Sequence, residues 1–190
     1  MEESQKDLCK KLKPVIIISG PPGAGKSTYA KRLAKDLGLK YYTSGEAFRQ
    51  VAKERNLSLV ELNILAEKDP EIDLEIDKKS FEEVMKGCVV IDSHLASWLF
   101  RDLATVTIYI KAEMKNRIQR LSMRDGMEAE SALEEASTRE LAHWQRFKNY
   151  YGVDVKDLSL FDLVIDTSNL SIEEAYTIIL QFIKRILKLT

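Results

Sequence analysis

A short run of small residues that ends in a lysine and a serine has the composition of a loop that wraps around phosphate groups. The stretch GPPGAGKS, residues 20–27, fits the pattern G-x-x-x-x-G-K-[ST] at every fixed position, and a threonine follows. Glycines let successive backbone N–H groups turn toward phosphate oxygens, and the start of a helix adds the positive end of its dipole. Lys26 can reach the β- and γ-phosphates of a nucleotide, and the Ser27 hydroxyl can bind Mg²⁺. The predicted ATP-binding residues of this loop are Gly20, Pro21, Pro22, Gly23, Ala24, Gly25, Lys26, Ser27 and Thr28.

The same kind of loop serves motors, switches and kinases, so the loop alone does not define a reaction. The chain contains no N-K-x-D stretch, which GTP-binding switches use to read guanine. Its 190 residues hold one such loop, and we find no second domain or nucleic-acid-binding extension of the kind that a helicase or motor needs. These features favour a kinase that acts on a small molecule.

A second candidate group is the carboxylate of Asp92, which follows the apolar residues 89–91. A carboxylate at the end of a strand beside the phosphate loop can accept hydrogen bonds from water molecules bound to Mg²⁺. The same residue could cap the start of a following helix, and the two roles are compatible. Ser27 and Asp92 are therefore the predicted metal-binding residues.

Alternating strands and helices must position these groups, and we predict one domain over residues 1–190. Short β-branched runs predict strands at Val15–Ser19, 39–43, Val89–Asp92, 105–110 and Leu163–Asp166. Helical patterns occupy 28–37, 46–55, 59–68 and Pro70–Lys86. Two long charged helical segments follow and meet near 125–126, and a closing helix is capped by Ser171 and Glu174. Strands separated by helices pair in parallel and form a three-layer α/β domain that binds ligands at the carboxyl ends of its strands.

Charge and hydropathy exclude several classes of partner. The net charge is −1, which gives no overall attraction to nucleic acids or membrane surfaces. The first residues, MEESQKDLCKKLKP, lack the pattern of a signal peptide, and no apolar run approaches the roughly 20 residues of a membrane span. We expect a cytoplasmic protein that binds neither nucleic acid nor a membrane.

The two cysteines, Cys9 and Cys88, lie in different surroundings. Cys9 belongs to a polar leader, whereas Cys88 opens an apolar run and suits a small buried position. We therefore expect no disulfide between them and a reducing compartment for the protein.

Half of the ten arginines fall within thirty consecutive residues of the chain. Such a cluster indicates either a local anion-binding site or a solvated helix face, and composition does not distinguish the two. The five residues are Arg117, Arg120, Arg124, Arg139 and Arg146.

Several longer stretches resemble the nucleoside monophosphate kinase family, and most closely the short archaeal-type cytidylate kinases. The resemblance implies a five-stranded parallel core, a helical monophosphate-binding insertion at about 44–86 and a lid at about 120–150. It also implies transfer of the γ-phosphoryl group of ATP to CMP or dCMP with Mg²⁺, by a monomer that acts on free nucleotides. The stretches that carry it are GPPGAGKST, SGEAFRQVAKERNLSLVELNILAEKDPEIDLEID, RIQRLSMRDG and YYGVDVKDLSLFDLVIDTSNLS.

The resemblance implies that Thr43, Ser44 and Arg49 form the acceptor-phosphate pocket, where the planar guanidinium of Arg49 suits a phosphate. Acidic residues on the third helix of the insertion help to read the amino group of cytosine in this family. Asp73 and Asp77 occupy one face of that helix, and of the two we favour Asp77. Spacing alone leaves open a solvated face for both.

The chain departs from the family pattern after Asp92. Many relatives have Gly-Arg there, and the arginine binds the acceptor phosphate, whereas this chain has Ser93 and His94. His94 could donate a hydrogen bond to a phosphate or base oxygen, or it could be a helix residue that touches no ligand. We count His94 among the predicted substrate-binding residues.

In relatives with a lid, arginines close over the phosphoryl groups and stabilise the charge of the transition state. By this resemblance all five arginines match such positions, and Arg124, Arg139 and Arg146 are catalytic together with Lys26. Of the five, Arg117 is the one that we expect to be merely solvated. The resemblance also implies that Arg120 stacks on the donor base and that the loop containing Ser168 contacts the adenine through its backbone.

Two alternatives remain open at this stage. An adenylate-kinase-like enzyme would share the phosphate loop and the lid, and Ser-His after the acidic residue is reminiscent of such a branch. A nucleotide-dependent assembly factor would use ATP to change its binding to RNA or protein, although the near-neutral charge argues against it.

Overall fold

Within residues 8–189, which the computed structural model describes, five parallel strands form the central sheet. In the sheet their order is β2-β3-β1-β4-β5, and each neighbouring pair is parallel. The predicted α/β fold with a five-stranded parallel sheet is therefore confirmed. Along the chain the strands are β1 (Val15–Ser19), β2 (Lys40–Thr43), β3 (Val89–Asp92), β4 (Val106–Lys111) and β5 (Leu163–Asp166).

Helices cover both faces of the sheet. None of them is both long and apolar enough to cross a bilayer, as far as the described residues extend. The helices are α1 (Lys26–Leu37), α2 (Ser44–Glu54), α3 (Leu59–Ala66), α4 (Pro70–Lys86), α5 (Ala96–Leu99), α6 (Met114–Asp125), α7 (Ala129–Tyr151) and α8 (Ile172–Ile186), with a 3₁₀ turn at Arg101–Leu103.

The central strand β1 is apolar along its length because both of its faces are covered. Ile16 and Ile18 pack with α1 and α8, whereas Ile17 packs on the opposite face with Val84 of α4 and Phe100 near α5. Successive side chains of a strand point to opposite faces, so a strand buried on both sides shows no polar alternation.

The register of the sheet brings three loops to one edge. Asp92, the last residue of β3, lies opposite Ile18 of β1 and opposite Thr43, the last residue of β2. The loops that follow Ser19, Thr43 and Asp92 therefore leave the same edge of the sheet, as predicted.

Local signals predicted most helix ends. Gly38 ends α1 in the left-handed region with φ 65°, and Ser58 and Ser171 form capping boxes at the starts of α3 and α8. After Asp92 the chain forms the four-residue helix α5, and Ser93 rather than Asp92 contacts its start, since the Ser93 Oγ accepts from the Leu95 and Ala96 N–H groups at 3.2 Å.

Two segments leave the sheet and form small apolar clusters of their own. Residues 44–86 fold into α2, α3 and α4 around a cluster that includes Val51, Leu62 and Ile72. Leu121 of α6 packs on Ala132 of α7 in a second cluster. That these two segments act as a monophosphate-binding insertion and a lid stays a prediction.

The expectation about the cysteines is wrong. Cys9 and Cys88 form a disulfide, with their Cα atoms 5.4 Å apart. Residues 8–11 are helical, and Leu8 packs into the core cluster on the α1 and α8 face of the sheet. This packing brings Cys9 to the residue that precedes β3, a proximity that the polar composition of the first residues does not reveal.

Candidate active site

The phosphate loop joins β1 to α1 through glycines that lie against neighbouring elements. A Cβ atom built on Gly20 would lie 2.1 Å from the carbonyl oxygen of Ile110, and one built on Gly23 would lie 2.7 Å from that of Arg117. Both glycines also have positive φ angles, of 149° and 76°. A side chain at either position would clash with a backbone carbonyl, and residues with a side chain rarely adopt these φ angles. The loop conformation therefore requires the glycines that its pattern contains.

The side chain of Lys26 is buried against the phosphate loop. Its ammonium group donates to the carbonyl of Pro21 at 3.1 Å. Burial lowers its pKa to about 8, and the positive charges of Arg139, Arg117 and Arg124 act in the same direction, whereas Asp92 opposes them. The cations of the lid segment and the lysine of the loop therefore share one electrostatic environment.

Ser27 and Asp92 meet as predicted. The Ser27 hydroxyl donates to the Asp92 carboxylate at 2.5 Å, and the hydroxyl of Tyr41 donates to the same oxygen at 3.0 Å. Burial and the Asp92 charge raise the pKa of Tyr41, so its hydroxyl stays protonated and keeps donating. Tyr41 was not predicted as a site residue, because its contact depends on the pairing of β2 with β3.

Hydroxyl and carboxylate oxygens are ligands that Mg²⁺ prefers, and the ion retains several water molecules when it binds proteins. Ser27 and Asp92 fit that requirement. Within residues 8–189 no group of three or more His, Cys, Asp and Glu side chains could hold a metal ion. The Ser27 hydroxyl and the Asp92 carboxylate therefore suit an ion whose other ligands are phosphate oxygens and water.

The predicted acceptor-phosphate residues lie at the start of α2. Thr43 caps this helix, since its hydroxyl accepts from the N–H group of Gly45 at 3.3 Å, and Ser44 is the first helical residue. Arg49 is exposed, and its guanidinium lies 3.8 Å from where a Cβ of Gly45 would be. The guanidinium is thus placed at the positive end of the α2 dipole, beside the edge that carries Asp92.

A buried ion pair connects α7 to α4. The Arg146 Nη2 donates to Asp73 Oδ1 at 3.0 Å, and its Nε lies 3.0 Å from Oδ2. Both side chains are less than a tenth exposed, yet Arg146 Nη1 has no hydrogen-bond partner among the described residues. The unpartnered Nη1 is a donor next to the helix that carries the predicted base-reading carboxylate.

That carboxylate, Asp77, is also partly buried. It accepts a hydrogen bond from the hydroxyl of Tyr151 at the end of α7. Burial raises the pKa of Asp77 to about 6, although the Tyr151 hydrogen bond opposes the shift. Asp77 is therefore no solvated surface group, and its ionisation changes in the range of near-neutral pH.

The prediction that Arg117 is solvated is wrong. Its side chain is buried, its Nε donates to the Pro22 carbonyl at 2.8 Å, and its Nη2 donates to Glu140 of α7 at 2.5 Å. Arg117 joins the phosphate loop to the long helix of the lid segment. Its partners lie far from it in sequence, so its burial could not be read from its charged neighbours.

Arg120 lies between the phosphate loop and the loop after β5. Its guanidinium donates to the Ala24 carbonyl at 3.1 Å and to the Thr167 carbonyl at 3.0 Å. The Ser168 hydroxyl accepts from Glu113 N–H at 2.8 Å, and the Ser168 carbonyl accepts from the Asn116 side chain at 2.9 Å. The two predicted donor-base residues thus lie at neighbouring positions, and their contact with a base stays a prediction.

Arg124 and Arg139 form exposed ion pairs. The Arg124 Nη2 is 2.6 Å from Asp125, and the Arg139 Nη1 is 3.4 Å from Glu135. Exposed pairs of this kind cost little to break, commonly less than about 1 kcal/mol. Both guanidinium groups can therefore leave these carboxylates and bind a ligand that carries more negative charge.

His94 lies directly beside the phosphate loop. Its Nδ1 is 2.8 Å from the Gly20 carbonyl oxygen, and its ring is 4.8 Å from that of His143 on α7, measured between centroids. His143 was not predicted as a site residue. The predicted acceptor ligand His94 therefore contacts the donor loop and the lid segment.

Comparison with known proteins finds relatives over most of the chain. A sequence model of the cytidylate kinase-like family matches residues 15–169. A cytidylate kinase from Aeropyrum pernix is 53% identical over 169 residues, which cover 89% of this chain and 98% of that protein. A cytidylate kinase from Staphylothermus marinus is 48% identical over 174 residues, covering 92% of this chain and 98% of that protein.

Solved structures show the same fold at low sequence identity. A shikimate kinase from Bacteroides thetaiotaomicron has a TM-score of 0.61 and 14% identity, and the match covers 93% of this chain and 99% of that chain. A shikimate kinase from Acinetobacter baumannii has a TM-score of 0.58 and 18% identity, with 95% and 97% covered. These likenesses describe the fold alone.

Proposed function

Because the chain belongs to the cytidylate kinase-like family, we propose that it transfers the γ-phosphoryl group of ATP to CMP or dCMP, giving ADP and CDP or dCDP. The observation that carries this proposal is that two sites occur together in one chain. One is the phosphate loop, where Ser27 donates to Asp92, and the other is the insertion, where the partly buried Asp77 can accept a hydrogen bond from an amino group. We also propose that the enzyme is a cytoplasmic monomer that acts on free nucleotides.

On the donor side, the N–H groups of residues 20–28 and the ammonium of Lys26 bind the phosphates of ATP. Arg120 lies beside the loop and stacks on the adenine, and the backbone at Ser168 reads its edge. The contacts of Arg120 with Ala24 and Thr167 support this assignment, since they hold the guanidinium at the junction of the two loops.

Ser27 and Asp92 would hold the Mg²⁺ that accompanies ATP, and the ion would supply positive charge close to the phosphates. The Ser27 hydroxyl is oriented by Asp92, and Asp92 is oriented by Tyr41.

On the acceptor side, Arg49 binds the phosphate of CMP together with the hydroxyl groups of Thr43 and Ser44. Asp77 accepts from the exocyclic amino group of cytosine, because a carboxylate is an acceptor for that donor. The unpartnered Nη1 of Arg146 offers a hydrogen bond to an acceptor atom of the same ligand. A donor and an acceptor side by side suit the edge of cytosine better than that of uracil, which has no amino group.

The chemical step needs no protein base. An oxygen of the CMP phosphate is already anionic, and it forms a bond to the γ-phosphorus as the bond from that phosphorus to the bridging oxygen of ADP breaks. The charge that spreads over the equatorial oxygens is stabilised by Lys26, Arg124 and Arg139, whereas Arg146, also predicted to act on these oxygens, is held by Asp73 beside Asp77. Closure of residues 120–150 excludes water, which would otherwise accept the phosphoryl group.

A coupled assay that follows ADP formation with each nucleoside monophosphate tests the proposal. We expect turnover with CMP and dCMP, much weaker turnover with UMP and AMP, and loss of activity in Lys26→Met. Turnover of AMP without turnover of CMP would contradict the proposal and support an adenylate-kinase-like enzyme. Salt-sensitive binding of RNA without any monophosphate turnover would support an assembly factor.

A further inference from the structure

His94 lies where the third strand, the phosphate loop and α7 meet. Its backbone is fixed, because the N–H group of Ser93 donates to the carbonyl of Ile18 at 3.1 Å and so extends the pairing of β1 with β3. Its ring contacts Gly20 on one side and His143 on the other. The imidazole is therefore held between the loop and the helix.

The contact with Gly20 defines which ring nitrogen of His94 carries the proton. A carbonyl oxygen only accepts hydrogen bonds, so Nδ1 must be the donor, 2.8 Å from Gly20 O. With Nδ1 used in this bond, only Nε2 remains to contact a ligand, so His94 cannot offer a phosphate the fork of donors that an arginine offers.

The carbonyl that His94 holds belongs to the first residue of the phosphate loop. Strand β4 packs against the other side of this residue, where a Cβ on Gly20 would lie 2.1 Å from Ile110 O. A phosphate-binding loop needs N–H groups that point inward, and a carbonyl oxygen that turned inward would repel the anion. The hydrogen bond to His94 holds the Gly20 carbonyl toward the loop between β3 and α5.

The other side of the His94 ring contacts the helix that carries two of the predicted catalytic arginines. His143 stacks on Phe147 one turn further along α7, with ring centroids 5.4 Å apart. Burial lowers the pKa of His143 to about 3, and Arg146, Arg139 and Lys26 contribute. These cations therefore lie around the histidine pair, and a displacement of α7 from the loop would break the contact between the two rings.

We propose that His94 is a positioning residue for phosphoryl transfer: it holds the Gly20 carbonyl out of the phosphate-binding loop and supports α7 through His143 when the lid is closed. This role rests on the proposed ATP-dependent kinase activity but not on the identity of the acceptor. It differs from the role in acceptor binding that the sequence predicts for His94.

The first test measures ADP binding by isothermal titration calorimetry for the wild type and for His94→Asn, His94→Gln and His94→Phe. The amide nitrogen of asparagine reaches about as far as Nδ1, whereas that of glutamine reaches about as far as Nε2. We expect His94→Asn to bind within about threefold of the wild type, and the other two variants to bind about five- to tenfold more weakly, as for one lost hydrogen bond to a carbonyl. In steady-state assays KM for ATP rises in His94→Gln, while KM for CMP stays within about twofold.

A raised KM for CMP with unchanged ADP binding in His94→Gln would overturn the proposal, and so would equal ADP affinity in the Asn and Gln variants. If the Gln and Phe variants do not fold, as judged by circular dichroism, a loss of ADP affinity beyond about threefold in folded His94→Asn would overturn it. A wild type that binds ADP but phosphorylates no monophosphate would contradict the proposed function, while ADP binding would still test His94.

The second test is a double-mutant cycle for kcat that uses His143→Ala and His94→Asn. We expect His143→Ala to lower kcat by about two- to tenfold in the wild-type background, the usual range for an aromatic pair, and by less when His94 is already replaced. Equal effects of His143→Ala in the two backgrounds would overturn the part of the proposal that concerns α7.

Discussion

Arg146 on α7 and Asp73 on α4 form a buried ion pair across 73 positions of the chain, with contacts of 3.0 Å. The pair joins the long helix that carries the lid arginines to the insertion that is proposed to bind the acceptor. Opening one segment away from the other would expose or separate these charges. The pair therefore ties the position of the lid segment to that of the insertion.

Removing one member of this pair should destabilise the protein strongly. Arg146→Met leaves the Asp73 carboxylate buried and unpaired, and we expect a loss of about 3–5 kcal/mol in the free energy of unfolding. Urea denaturation measures this loss, and Arg139→Met, which breaks an exposed pair, should cost less than about 1 kcal/mol. The double variant Asp73→Asn/Arg146→Met should lose less than the sum of its single variants, and strict additivity would contradict the pairing.

Binding of CMP should weaken as the pH falls through about 6. Asp77 has a pKa raised to about 6, so below that pH it is protonated and no longer accepts from an amino group as a carboxylate does. We expect its contribution to raise the Kd for CMP by up to about tenfold between pH 7 and pH 5, measured by titration calorimetry.

The phosphate of CMP also titrates near pH 6, so the comparison with Asp77→Asn isolates the protein group. Tyr151→Phe removes a hydrogen bond that stabilises the carboxylate and should move the midpoint to higher pH. Identical pH profiles for the wild type and Asp77→Asn would rule out a role for Asp77 in binding.

ATP binding above pH 8 should take up a proton. Lys26 has a pKa lowered to about 8, mainly by burial, so much of it is neutral at pH 9 and must be protonated to pair with the phosphates. We expect uptake approaching one proton per ATP at pH 9 and close to none from this group at pH 7. Calorimetry in buffers of different ionisation enthalpy measures the uptake. Equal uptake by the wild type and Lys26→Met would assign the proton to another group.

Replacement of Arg124 should slow turnover more than it weakens binding. Its guanidinium pairs with Asp125 at the surface and is proposed to reach the phosphoryl group only in the transition state. We expect Arg124→Ala to lower kcat by at least about tenfold while the Kd for ATP changes less than about threefold. Arg32→Ala, which removes an exposed partner of Glu173, is a matched control with unchanged kinetics. Equal losses in kcat and ATP affinity for Arg124→Ala would contradict the assigned role.

Reduction of the disulfide should lower thermal stability without changing turnover. The crosslink joins residues 79 positions apart, and loop-closure entropy for such a length corresponds to up to about 4.5 kcal/mol. We expect a reductant to lower the melting temperature by on the order of 10 °C. The double variant Cys9→Ser/Cys88→Ser should melt at the lower temperature and show no response to the reductant. An unchanged melting temperature in that variant would show that the crosslink contributes nothing to stability.

Features that depend on neighbours in sequence were predictable. The phosphate loop, the capping boxes at Ser58 and Ser171 and the end of α1 at Gly38 each use a few adjacent residues, and the structure confirms them. Alternation of strands and helices then defines a parallel sheet, since crossover connections leave few other arrangements.

Features that depend on distant partners were not predictable. Arg117 is buried because Glu140 and the Pro22 carbonyl satisfy its charge and its donors, and neither is near it in sequence. Tyr41 reaches Asp92 only because β2 pairs with β3. A charged or aromatic residue thus keeps several possible environments until the tertiary structure supplies its partners.

The length of strand β3 separates the disulfide from the proposed metal site. Cys88 precedes its first residue and holds the crosslink to Cys9, whereas Asp92 ends it and belongs to the proposed metal site. At about 3.3 Å per residue, some 13 Å of rigid, fully paired backbone lie between the crosslink and the chemistry. We therefore expect a change at the crosslink to alter heat tolerance without altering the catalytic rate, because the strand between the two sites keeps its register.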